Sequence, residues 1–168
     1  MNESIPNDVL LSIKLIAFDF DGVFTDNTVF VLENGYESVR CWRSDGLGLA
    51  RVSSVGIETL IVSTEKNPVV SARAKKLNIQ CIQGVDKKNE VLLKFCAEKN
   101  IPLHEVAFVG NDINDISAFH VVGLPIAVSD SHPEALEHAL YRTHAKGGRG
   151  AVREVCDLFF AAHLAKLK

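Results

Sequence analysis

The chain has 168 residues, 47% hydrophobic and 23% charged, with 11 glycines and 5 prolines; this suits one packed domain over residues 1–168 and excludes a disordered or fibrous chain. A formal net charge of −3 gives no general attraction to nucleic acid or an anionic membrane, so neither is an expected partner and an anionic ligand must be held by a local site. Met1 to Ser12 lacks the pattern of a signal peptide and no uninterrupted apolar run reaches bilayer length, so a soluble, cytoplasmic protein is expected.

In chain order, Ile13 to Phe18 reads as a buried strand. Thr28 to Leu32 and Tyr36 to Trp42 read as two strands joined by a tight turn at Asn34-Gly35, which predicts a projecting flap. Ser44 or Asp45 can cap a helix through Val55, Glu58 to Val62 is the next strand, and Asn67-Pro68 starts a helix to about Leu77. Gln80 to Ile82 is a short strand, Lys87 to Lys99 a helix ending before Pro102, Val106 to Val109 a β-branched strand, Asp112 to His120 a helix, and Pro125 to Val128 the final strand. Gly147 to Gly150 breaks the chain ahead of a terminal helix from Ala151. Strands alternating with helices predict an α/β fold, a central parallel sheet covered on both faces. Cys41, Cys81, Cys96 and Cys156 form no C-x-x-C pair and read as reduced, mostly buried thiols, and the six histidines show no metal or nucleophile spacing.

Asp19 and Asp21 stand two residues apart directly after the first strand, where the backbone turns at Gly22. The carboxyl ends of parallel strands face the ligand crevice, so both acids are expected to point into it. One carboxylate can attack phosphorus while the other donates a proton to the leaving oxygen and then activates water. By itself such a pair is equally an ordinary polar turn. Three further polar segments follow strand ends: Ser63-Thr64, Asp86-Lys87-Lys88, and Gly110-Asn111-Asp112-Ile113-Asn114-Asp115. Separately the first reads as a capping turn and the last as an Asx-capped helix start.

Taken together, D-F-D-G-V-F-T-D, the Ser63 turn, the Lys88 segment and the G-N-D-I-N-D loop resemble, in order, the four signatures of the haloacid dehalogenase superfamily. The resemblance implies a Rossmann-like three-layer sandwich and a magnesium-dependent phosphatase. Asp19 would be nucleophile and Asp21 general acid/base, Ser63 would hold a phosphoryl oxygen, and Lys88, with Lys87 as fallback, would neutralise the transferring group. Mg2+ would be held by Asp19, the Asp21 carbonyl and Asp112, with Asp115 behind them. Asn111 departs from the commoner Asp at its position and is not expected to ligate.

Only the hairpin and one helix separate Asp21 from Ser63, leaving no room for a cap domain. That layout resembles the capless sugar-acid phosphatases acting on 3-deoxy-octulosonate 8-phosphate or on nonulosonate (sialic acid type) 9-phosphates. It implies a homotetramer in which the flap closes a neighbour's site. Thr25, Glu65, Arg73, Lys76 and Arg149 become substrate-binding candidates, with Arg73 reaching across from a neighbour. Glu65, Arg73 and Lys76 match the nonulosonate branch. The resemblance leaves open another small sugar phosphate, or an idle tetramer-forming module of the kind attached to some cytidylyltransferases.

Overall fold

In a computed structural model, which describes residues 5–166, six parallel strands form the central sheet: β1 (Leu15–Phe18), β4 (Glu58–Ser63), β5 (Gln80–Gln83), β6 (Val106–Gly110), β7 (Leu124–Ala127) and β8 (Tyr141–Arg142). Their order is β5-β4-β1-β6-β7-β8. A separate antiparallel pair, β2 (Phe30–Val31) and β3 (Glu37–Ser38), is the flap.

The central strands read as continuous apolar runs because both sheet faces are buried. Successive residues serve opposite faces: Ile16 and Phe18 join Ile61, Val109, Val155 and Phe159 on one side, while Leu15 and Ala17 join Leu60, Phe108, Leu92 and Phe119 on the other. The first face is covered by α1 (Asn7–Ser12), α2 (Asp45–Ser54), α3 (Val69–Leu77) and α7 (Ala151–Lys166). The second is covered by α4 (Lys88–Lys99), α5 (Ile116–Phe119) and α6 (Pro133–Glu137). Each fully buried Ile, Leu or Phe contributes roughly 1.5–3 kcal/mol, so the two cores hold the central strands rigidly. This is the expected three-layer α/β architecture.

Several local expectations are corrected. The strand around Pro125 is not the last, because β8 pairs with β7 beyond it. The helix expected over Asp112 to His120 divides into a 3-10 turn at Ile113–Asp115 and α5, and the flap strands shorten to two residues each. α1 and α6 were not anticipated; α1 buries Leu10 and lies along α7. The Asn34-Gly35 turn forms, with Asn34 Oδ1 accepting from the Tyr36 amide. No helix of the described residues is long and apolar enough to cross a membrane.

Register places the chemistry. Phe18 is opposite Ile61 of β4 and Val109 of β6, so Asp19, Ser63 and Asn111 emerge at one edge of the sheet, at the carboxyl ends of adjacent strands.

Candidate active site

The β1 strand ends in a tight turn in which the Phe20 carbonyl accepts from the amides of Val23, Phe24 and Thr25. Asp19, almost fully buried, accepts from the Phe20 amide at 2.7 Å. Thr25 Oγ1 accepts from the amides of Gly22 and Asn27 and donates to Asp21 Oδ1 at 3.4 Å. Thr25 therefore orients the second acid through the turn itself. Gly22 has φ +78°, and a β-carbon there would lie 2.1 Å from Asn111 Nδ2; only glycine lets the β6 loop close against this turn.

Lys88 begins α4 and is wholly buried. Its ammonium lies 2.8 Å from Asp19 Oδ1 and 2.6 Å from Asp115 Oδ1. Lys87 points away to a surface pair with Glu90. The other oxygen of Asp115 accepts from the amides of Asn111 and Asp112, so this wholly buried carboxylate both shapes the β6 loop and balances the lysine. Its direct bond to Lys88 joins the β6 loop to the start of α4.

Depth separates Asn111 from Asp112. Asn111 is buried and its Oδ1 has no hydrogen-bond partner among the described residues. Asp112 is partly exposed and its Oδ1 accepts from the Ile113 amide, capping the 3-10 turn.

Burial acts on both catalytic candidates in the same direction. Burial pushes the Asp19 carboxyl up to about 7, reinforced by Asp115 and opposed by Lys88 and the Phe20 amide. Asp21 is also raised, first by burial and then by Glu65 and Glu37, against the Thr25 hydrogen bond and Lys88. Burial favours a neutral Lys88, but the two carboxylates overcome it and hold the ammonium above its ordinary value. Ser63 ends β4, buried, with Oγ accepting from the Glu65 amide at 3.1 Å.

A cavity of about 280 Å³ opens beside Asp21, walled by the flap and the loop after β4, and includes Glu65. Arg73, Lys76 and Arg149 do not line it. Arg73 donates to the Trp42 carbonyl of its own chain at 3.0 Å. Lys76 is exposed in the last turn of α3. Arg149 lies 3.7 Å from Asp26 on the surface.

The buried Asn111 Oδ1 without a partner, next to the Asp19 turn, fits a hard divalent cation such as Mg2+, which takes oxygen donors and retains several waters.

Comparison with known proteins gives a consistent result. Residues 57–154 match the haloacid dehalogenase-like hydrolase family. The 3-deoxy-D-manno-octulosonate 8-phosphate phosphatase of Salmonella typhi is 37% identical over 152 residues, covering 90% of this chain and 81% of that protein. Among solved structures, the phosphatase of that name from Moraxella catarrhalis, in complex with magnesium, phosphate and KDO, is 32% identical with a TM-score of 0.89, over 96% of this chain and 97% of that one. The cobalt-bound enzyme from Haemophilus influenzae is 26% identical with a TM-score of 0.87, over 92% and 91%.

Proposed function

The chain belongs to the haloacid dehalogenase-like hydrolase family, and on that premise we propose that it is a magnesium-dependent phosphomonoesterase acting on a phosphorylated 3-deoxy sugar acid. The observation that carries the reading is the buried Lys88 ammonium held between Asp19 and Asp115 at the carboxyl ends of the central strands.

Asp19, the Asp21 carbonyl and the Asn111–Asp112 loop would hold Mg2+, with Asn111 Oδ1 the better placed donor of the loop. The cation supplies charge neutralisation of the phosphoryl group. Lys88 offsets repulsion between that group and Asp19, and the Ser63 hydroxyl holds one of its oxygens. Asp19 attacks phosphorus in line, forming an acyl phosphate as the ester oxygen departs. Asp21, raised in pKa and oriented by Thr25, gives that oxygen its proton. It then takes a proton from the water that attacks the acyl phosphate, releasing phosphate and restoring Asp19.

The named activity of the curated relatives makes 3-deoxy-octulosonate 8-phosphate the first substrate to assay, and Glu65 keeps a nonulosonate 9-phosphate beside it. The flap carries exposed Val29, Phe30, Val31, Leu32 and Tyr36, a patch suited to burial against a second copy, which supports an oligomer, four subunits by resemblance, whose flaps reach neighbouring sites. Arg73, engaged with Trp42, is read as a brace for the flap's base, and Lys76 and Arg149 have no assigned contact with substrate within one chain.

The test is phosphate release by the purified chain with Mg2+ from both esters, with Asp19→Asn and a chelator as controls. Turnover abolished by either control supports the reading; full activity in Asp19→Asn removes Asp19 as nucleophile. Light scattering reads the subunit number.

A further inference from the structure

The cavity beside Asp21 is walled by Asn27, Thr28 and Glu37 on the flap side and by Glu65 and Asn67 from the loop after β4. Its lining contains three carboxylates and no cation. Asn67 Nδ2 donates to Glu37 Oε2 at 3.1 Å, joining flap to loop across the cavity. Glu65 turns Oε1 back to the amides of Lys66 and Asn67, at 2.6 and 2.7 Å, which fixes its carboxyl group in place. The cavity therefore has rigidly placed acceptors, the second oxygens of Glu37 and Glu65, and side-chain amides that can donate.

That donor and acceptor set suits hydroxyl groups and rejects anions. A phosphoryl group at Asp19 and Lys88 must pass its ester oxygen to Asp21, and Asp21 lines this cavity, so the carbons next to the ester enter it. A substrate carboxylate there would meet two carboxylates without a counter-charge.

We propose that Glu37, on the flap, is a specificity-determining residue that selects phosphate esters whose first carbons beyond the phosphate carry hydroxyls and no charge, with the carboxylate of the sugar acid lying outside the cavity. This rests on the phosphatase reading. Glu37 does not touch the reacting atoms and is the smallest of the causes acting on Asp21, so its loss affects recognition more than chemistry.

The experiment compares the unaltered chain, Glu37→Ala and Glu37→Gln, each with Mg2+, on 3-deoxy-octulosonate 8-phosphate, on p-nitrophenyl phosphate, which has no hydroxyls to recognise, and on 2-phosphoglycolate, which places a carboxylate next to the ester. Glu37→Ala is expected to lower kcat/KM on the octulosonate ester by roughly tenfold or more, mainly through KM, and to leave p-nitrophenyl phosphate within about twofold. Glu37→Gln keeps an acceptor and the tie to Asn67, so it retains most of the octulosonate activity while gaining relative rate on 2-phosphoglycolate. Equal loss on the octulosonate and nitrophenyl esters, or no change on either, overturns the inference and leaves the phosphatase reading intact. No turnover of the octulosonate ester by the unaltered chain overturns both. Glu37 is exposed, and matching melting temperatures show that the variants fold.

Discussion

The Lys88 ammonium lies 2.6 Å from a carboxylate oxygen of Asp115, and both side chains are fully buried. Lys88 therefore faces two carboxylates, one on the catalytic turn and one beneath the β6 loop. With one ammonium to two acids, the cluster remains net negative until a cation or a protein proton joins it.

Asp115→Asn leaves Lys88 and Asp19 balanced in charge but weakens the buried acceptor shared by the Lys88 ammonium and the two loop amides, so it is expected to destabilise the fold by about 1–3 kcal/mol. Its Oδ2 also organises the amides of Asn111 and Asp112, so phosphate release should fall at least tenfold even below the melting temperature. Denaturant melts and steady-state kinetics on the same preparation read the two effects separately. Unchanged kinetics would leave Asp115 a purely structural residue.

Asn111→Asp should tighten magnesium binding roughly tenfold, because a carboxylate is a stronger ligand for a hard cation than an amide oxygen. Without metal the added charge faces Asp19 and Asp115, so the variant should melt lower than the parent in chelator and gain more on adding Mg2+. Thermal shift against magnesium concentration gives this without reference to turnover. An identical response in both proteins would move the cation away from Asn111.

Gly22→Ala should cost several kcal/mol of stability or of cation affinity, since the positive φ is strained for alanine and the new methyl would overlap the Asn111 amide. A loss of magnesium response in a folded variant shows that the amide has been displaced.

Asp45, buried at the start of α2 with Oδ1 unpartnered, is raised from 3.8 to about 7, mainly by burial and against the pull of Arg73. The folded state thus holds a proton that the unfolded chain has released, and stability falls as pH rises through that window. Asp45→Asn should be more stable than the parent at pH 8 by roughly 1–3 kcal/mol, with little advantage at pH 4. Urea melts at the two pH values test the sign.

The strand-end acids were legible because buried parallel strands are written as short apolar runs, and whatever polar residue follows such a run must lie at the sheet edge. The same logic missed β8, where two residues, Tyr141 and Arg142, are too few to show a pattern. Nor does composition tell which of two neighbours in a turn, Asn111 or Asp112, is the buried one. The Lys88 to Asp115 contact joins residues 27 apart in sequence and belongs to the packing of α4 against the β6 loop, which no local pattern encodes.

Gly147 lies so close to the catalytic turn that a β-carbon on it would come within 1.8 Å of the Gly22 carbonyl oxygen, and the Gly148 amide donates to Val23. The back wall of the first loop is thus supplied by chain made more than a hundred residues later. On the ribosome, Asp19 emerges early but its setting cannot be finished until the whole sheet has been translated. Hydrolytic competence therefore arrives as one of the last events of biogenesis.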